Sequence, residues 1–315
     1  MIMDKRIELS VVIPVYNSAT IFPELYRRLL NTLDSTANSF EIIAVVDGCE
    51  DNSVDVIANF CKKDNQLKLV ELSRSFGEEA AVTAGIEIAS GEMVIVMDDD
   101  LEDPPEVLPK FIEKAKEGYD VVYGIIKRRK VSALLRATYF LFYRVLNIFT
   151  DIKMPTDAGS FCLMKRPVVN ALNDMPETNR YIRGMRAWLG FNQIGIEYER
   201  DERYAGSSGY NFFKYLKFGF DGIFSFSYKP LHYVTIIGSM VALISIILGA
   251  RLIILKLMDR VVEVPGWVSL MVVMLFLGGV QIIAIGIVGQ YIARVYDETK
   301  QRPKFVVKQL IGFDK

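Results

Sequence analysis

The sequence predicts an α/β domain on a mostly parallel, Rossmann-like sheet with helices on both faces, followed by an apolar two-helix hairpin. Two observations predict the sheet. Val/Ile-rich runs alternate with helix-like segments from residue 8 to 126, and polar residues recur just after each run. A third predicts the hairpin: beyond residue 232, two apolar runs each exceed the ~20 residues needed to cross a bilayer.

In chain order, "ELSVVIPVYN", "FEIIAVVDG", "LKLVELS", "EMVIVMDDD" and "YDVVYGII" read as strands, because near-continuous apolar runs suit a sheet covered on both faces. Between them, "FPELYRRLLNTL", "SVDVIANFCKK", "FGEEAAVTAGIEIAS" and "PPEVLPKFIEKAKEG" read as helices. In such sheets ligands sit outside the carboxyl ends of the strands. Tyr16 and Asn17, Asp47, Ser73 and Arg74, and Asp98, Asp99 and Asp100 all fall there, so one pocket can collect them. Neither a G-x-G-x-x-G nor a G-x-x-x-x-G-K-[ST] loop is present, so phosphates need another anchor.

After residue 126 the character changes. "KRRK" precedes an apolar segment, about 131–150, interrupted by Arg136 and Arg144. A second segment, about 210–226, places Lys214, Lys217 and Asp221 opposite Phe212, Phe213, Leu216, Phe220, Ile223 and Phe224. Basic, aromatic amphipathic helices of this kind suit a membrane interface. The spans are expected at about 233–255 and 267–292, joined by the short "KLMDRVVEVPG". Lys214, Lys217 and Lys229 precede the hairpin, and Arg294, Lys300, Arg302 and Lys304 follow it. The positive-inside rule then places both termini and the α/β domain in the cytoplasm. The expected units are a domain at 1–229, a membrane hairpin at 230–294 and a cytoplasmic tail at 295–315.

The net charge of -1 gives no support to nucleic-acid binding. Cys49, Cys61 and Cys162 lack metal-type spacing and are expected to be reduced. Gly278, Gly279, Gly286 and Gly289 are expected to permit close helix packing, within the hairpin or between subunits.

The stretch "VIVMDDDLEDPPE" carries six carboxylates behind a buried run. If the strand continued, Asp98, Asp100 and Glu102 would share one side and Asp99 the other. Hard oxygen ligands so placed suit Mg²⁺ or Mn²⁺ shared with a pyrophosphate. Asp103 and Glu106 are expected to serve the N-terminus of the following helix.

With "LSVVIPVYN", "VVDGCEDNS", "LSRSFGEEAAVTAG", "MDDDLEDPPE", "RYIRGMRAWLGF", "FDGIFSFS", the hairpin and "RPKF", the chain resembles the polyprenyl-phosphate glycosyltransferases. These are inverting enzymes of glycosyltransferase family 2 with the GT-A fold, and the resemblance covers nearly the whole chain. It implies transfer of a sugar from a nucleotide sugar, UDP-linked by preference, to a polyprenyl phosphate such as undecaprenyl phosphate. It also implies an integral membrane homo-oligomer, a tetramer in relatives. Pro14, Tyr16, Asn17, Asp47, Arg74, Asp98 and Asp99 become the donor-nucleotide candidates, and Asp98, Asp100 and Glu102 the metal candidates. Arg203 in "RYAGSSGY" matches a phosphate-binding arginine, while Arg136, Arg144 and Lys214 are candidates for the lipid phosphate. There are three departures: Gly209 replaces a lysine, Glu78 replaces a cation, and Ser160 stands where relatives have an aspartate, with Asp157 three residues earlier. A lipid monophosphate with a second pKa of about 6 is already largely dianionic, so Asp157 or Ser160 would orient rather than deprotonate it. The alternatives are a catalytically silent membrane scaffold of the same fold and a polysaccharide synthase. The latter would need a Q-x-x-R-W motif and more spans.

Overall fold

The structure, a computed structural model, describes residues 7–127, 158–200, 227–258 and 266–313. One eight-stranded sheet runs in the order β7-β5-β6-β4-β1-β2-β3-β8. Its centre consists of β1 (Leu9–Val15), β2 (Phe40–Val46), β3 (Leu67–Leu72) and β4 (Met93–Val96), all mutually parallel. Here the expected Val/Ile strands are found, and β2 and β4 are buried along their whole length. The β5 strand (Val121–Ile126) was also expected.

Three further strands lie outside that expectation and make the sheet mixed. The β6 strand (Ala158–Lys165) runs antiparallel between β4 and β5, and β7 (Gln193–Tyr198) adds parallel to β5. On the other edge, β8 (Val307–Ile311), which follows the apolar hairpin in the chain, pairs antiparallel with β3. β4 and β2 flank β1 on opposite sides, so the chain reverses its strand order there, the position at which open sheets form a ligand crevice.

The helices α1 (Phe22–Leu33), α2 (Ser53–Cys61), α3 (Glu78–Ile88) and α4 (Leu108–Lys116) connect the parallel strands. Phe22, Leu25, Leu29 and Leu33 of α1 repeat at three and four residues and are fully buried, as a core-facing stripe requires. Two apolar clusters result, one on each face of the sheet. α3 lies close on β1 because residue 85 is glycine. A Cβ there would come within 2.2 Å of Val12 Cγ1.

At the amino end of the strands sits a buried polar knot. Glu41 is 1% exposed and accepts from Ser10 Oγ (2.5 Å), Ser90 N and Oγ (2.8 Å each) and Lys68 Nζ (2.6 Å). Burial pushes its pKa up, but the Lys68 ammonium and the Ser10 and Ser90 donors outweigh that and hold it below the ordinary value. A depressed carboxylate stabilises the fold above its unfolded pKa, and the contribution is lost as pH falls through the folded value. Glu41→Ala should therefore cost on the order of 3 kcal/mol at neutral pH, since it strands a cation and two hydroxyls. The deficit should shrink below pH 4, which denaturant titrations of the two proteins at both pH values would check.

Two smaller helices, α5 (Arg166–Asp174) and α6 (Ile182–Trp188), follow β6. The helices α7 (Lys229–Leu257) and α8 (Trp267–Thr299) come next, and both are long and apolar enough to cross a membrane. Their apolar side chains face outward: Leu243, Ile246, Leu275 and Ile282 are each more than half exposed. Among the described residues, a Cβ at Gly278, Gly279, Gly286 or Gly289 would meet nothing within 4 Å.

Candidate active site

The carboxyl ends of β1 to β4 bring the expected polar residues to one edge of the sheet. Pro14 lies in β1 opposite Val45. The turn after it is built by exchange with its neighbours. Asn17 adopts a left-handed backbone (φ 54°), and its Oδ1 accepts from Glu50 N (2.8 Å) and Asp51 N (3.4 Å). The Tyr16 ring is left 55% exposed at the rim, available as a flat surface for a planar ligand.

Asp47, 4% exposed, organises the loop after β3. Its carboxylate accepts from Ser75 Oγ (2.9 Å), Phe76 N (2.6 Å) and Gly77 N (2.8 Å). The two loops meet so closely that a Cβ on residue 48 would lie 2.2 Å from Ser75 N, and Gly48 also has φ +62°. Only glycine fits there. Arg74 stacks its guanidinium over Phe76 at 3.9 Å and donates to Ser75 O (2.7 Å), so its charge stays at the mouth of the crevice.

The acidic stretch is arranged differently from the extended strand expected for it. β4 ends at Val96, and a turn follows in which the buried Leu101 takes φ 59°. Asp100 Oδ1 accepts from Glu102 N (3.1 Å) across that turn, so strand alternation does not set which side each acid faces. Asp99, expected on the far side, accepts from Tyr16 N (3.1 Å) and Ser18 Oγ (2.5 Å) and so braces the turn after β1. Burial raises its pKa to about 6 against those donors. Asp103 serves no helix end: it is buried, accepts from Tyr198 Oη, and pairs with Arg200 Nε at 3.1 Å. Glu106 does lie in the first turn of the short helix Pro105–Val107 that leads into α4, and it also pairs with Arg28 at 2.6 Å. Arg200 also pairs with Glu102 at 2.8 Å, so one guanidinium ties the acidic turn to the end of β7.

Asp98 is the most strongly perturbed acid of the group. Burial, then Glu78, Asp103 and Asp100, push its pKa well above the ordinary value, and Arg183 opposes them. Ser160 on β6 donates its hydroxyl to Asp98 (3.1 and 3.2 Å), so the residue standing in for an aspartate contacts the candidate metal set directly. Arg183 on α6 went unrecognised in the sequence. Burial acts against its charge, but Tyr181, Glu79, Asp98 and Glu78 outweigh that and raise its pKa. Glu79 takes Ile182 N (3.0 Å), and its pKa is pushed up to about 7 by burial. Glu78, the departure from a cation, thus adds to a negative field that Arg183 opposes.

Among the described residues, no three carboxylate, thiolate or imidazole groups converge to enclose a metal ion. The chemistry of the set still fits a divalent ion held from one side: Glu78, Asp103 and Asp100 put a negative potential on Asp98 that Arg183 only partly offsets, and a bound cation would relieve it. Mg²⁺ and Mn²⁺ commonly bind through one or two carboxylates, with waters and substrate phosphates completing the shell. Asp157, Arg203, Arg136, Arg144 and Lys214, with both interfacial segments, lie outside the described residues.

Residues 10–172 match the family described as Glycosyl transferase family 2. Over 98% of its length the chain is 42% identical to an uncharacterized glycosyltransferase of Synechocystis sp., covering 97% of that protein. It is 36% identical to a prophage bactoprenol glucosyl transferase homolog of Escherichia coli, over 96% of this chain and 99% of that one. The SfII prophage-derived bactoprenol glucosyl transferase of Shigella flexneri is 38% identical over 96% of this chain and 98% of its own length. Among solved structures, the Pyrobaculum calidifontis mannosyltransferase in complex with GDP-Man and Mn²⁺ is 18% identical, with a TM-score of 0.46 over 66% of this chain and 59% of that one.

Proposed function

The chain belongs to glycosyl transferase family 2, and from that premise we propose that it transfers glucose from a nucleotide donor, UDP-linked by preference, to a polyprenyl phosphate. The observation that carries this reading is similarity to bactoprenol glucosyl transferases along nearly the whole chain, membrane hairpin included. In this reading the chain is a membrane protein with two spans, both termini and the active site on the cytoplasmic side, assembled as a homo-oligomer. The acceptor is undecaprenyl phosphate.

The residues divide the work. Tyr16 and the loops held by Asn17 and Asp47 receive the nucleotide, and Arg74 meets its phosphates at the mouth. Asp100 and Asp98 offer oxygens to Mg²⁺ or Mn²⁺, with Glu102 behind them on Arg200. An ion held there supplies positive charge against the departing nucleoside diphosphate. Arg183 keeps the acids around Asp98 from repelling one another, and Ser160 fixes the Asp98 carboxylate. The acceptor phosphate is already dianionic, so no base must remove a proton from it. In-line attack at the anomeric carbon inverts it, and the protein's contribution is placement. Asp157 and Arg203 flank the acceptor in this reading, with Arg136, Arg144 and Lys214 gathering the lipid's charge.

Full-length protein in detergent, given radiolabelled UDP-glucose, Mn²⁺ and undecaprenyl phosphate, should yield label extractable with the lipid and β-linked to phosphate. No lipid-borne label with uridine or guanosine donors, and no nucleotide binding, would favour the silent scaffold.

A further inference from the structure

The end of α8 touches the α/β domain at defined points. Glu298 accepts from Thr178 N through both carboxylate oxygens (3.0 Å each) and from Asn179 N (3.3 Å). Six residues on, Lys304 donates to Met175 O (3.3 Å) and approaches Glu87 at 3.6 Å. A cleft of ≈ 560 Å³, lined in part by Glu87, Pro176, Thr178, Glu298, Arg302 and Lys304, lies at this junction. The 175–179 backbone is therefore gripped from the apolar helix and its tail.

That backbone leads into α6. Tyr181 provides no side-chain cap for the helix, and acids from elsewhere take the N–H groups ahead of it and at its start. Glu298 takes 178 and 179, and Glu79 takes 182. Arg180, immediately after the gripped pair, is buried and donates to Leu172 O (2.5 Å). Arg183 follows Ile182, whose N–H is held by Glu79 at 3.0 Å, and lies near enough to Glu79, Asp98 and Glu78 for their charges to raise its pKa. Four residues along the chain thus separate the apolar helix's hold at 179 from Arg183 beside the candidate metal set.

We propose that Glu298 is a positioning residue for the transfer reaction: by holding the backbone at 178 and 179, the end of the second apolar helix sets Arg183 against Asp98. The proposal rests on the transfer activity inferred above. It makes the hairpin part of the catalytic frame as well as an anchor.

The test uses the full-length protein in detergent. Glu298→Ala should lower kcat for lipid-linked sugar formation about tenfold, the scale of a small misplacement at a reacting centre. Its KM for the nucleotide sugar should stay within about twofold, because the path runs to Asp98 and touches none of the loops at Tyr16, Asp47 and Arg74 that receive the nucleotide. Hydrogen exchange at amides 178, 179 and 182 should quicken. Glu298→Gln keeps a carbonyl acceptor and should restore at least half of kcat and the slow exchange, while Lys300→Ala, two residues on and paired with Asp297, should match the wild type. Three outcomes would overturn the proposal: fast exchange with kcat intact, a kcat loss with unchanged exchange, or Glu298→Gln as impaired as Glu298→Ala. A wild-type protein that makes no lipid-linked product removes the transfer reading itself, a result distinct from all three.

Discussion

In the Asp100→Ala protein, sugar transfer is expected to fall about a thousandfold, the range seen when a preorganised stabiliser of developing charge is removed. Thermal stability should change little. Asp100 lies in a half-buried turn, and its hydrogen bond from Glu102 N contributes about 1 kcal/mol. The diagnostic readout is nucleotide binding with and without Mn²⁺. The wild type should bind a nucleoside diphosphate more tightly when the ion is present, and the variant should show no such gain. A variant that keeps near-normal turnover, or the full Mn²⁺ effect, would remove Asp100 as the ligand and shift that role to Asp98.

The second large effect is expected at Asp47. Asp47→Ala should raise the KM for the nucleotide sugar tenfold or more, and destabilise the protein by about 3 kcal/mol because three donors lose a buried acceptor. The two consequences share one cause: without the carboxylate, residues 75–77 are released, and Arg74 and Phe76 move with them. Asp47→Asn keeps the shape and one acceptor oxygen, so it should recover part of the stability but little of the affinity. Titration of the donor monitored by thermal shift measures both quantities on one sample. An Asp47→Ala protein with wild-type KM would show that the loop does not shape the nucleotide pocket.

The parts of this molecule that were legible from sequence are those whose signal is local. Strands β1 to β5 are read from apolar runs that need no partner to be recognised, and α1 from its stripe. β6, "AGSFCLMK", mixes small and polar residues, and β8, "VKQLI", becomes a strand through its pairing with Leu69 to Leu72. At the site, the cluster of acids at 98–106 was plain, but its division of labour was not. Asp99 is explained by Tyr16 and Ser18, and Asp103 by Tyr198 and Arg200, each partner more than 80 residues away in the chain. Arg183 was hidden for the same reason: its neighbours Glu78 and Glu79 lie about a hundred residues away in the chain, brought near where Glu79 takes Ile182 N.

The pairing of β8 with β3 also constrains the order of manufacture. β3 waits as an open edge while α7 and α8 are made, and its last partner emerges only after both apolar helices. An unpaired edge of buried, aliphatic residues is a template for pairing with another chain. In the two-span reading proposed above, delivery of the hairpin to the bilayer and closure of the sheet are steps of one sequence. A nascent chain stalled before residue 307 would hold an unfinished edge at β3.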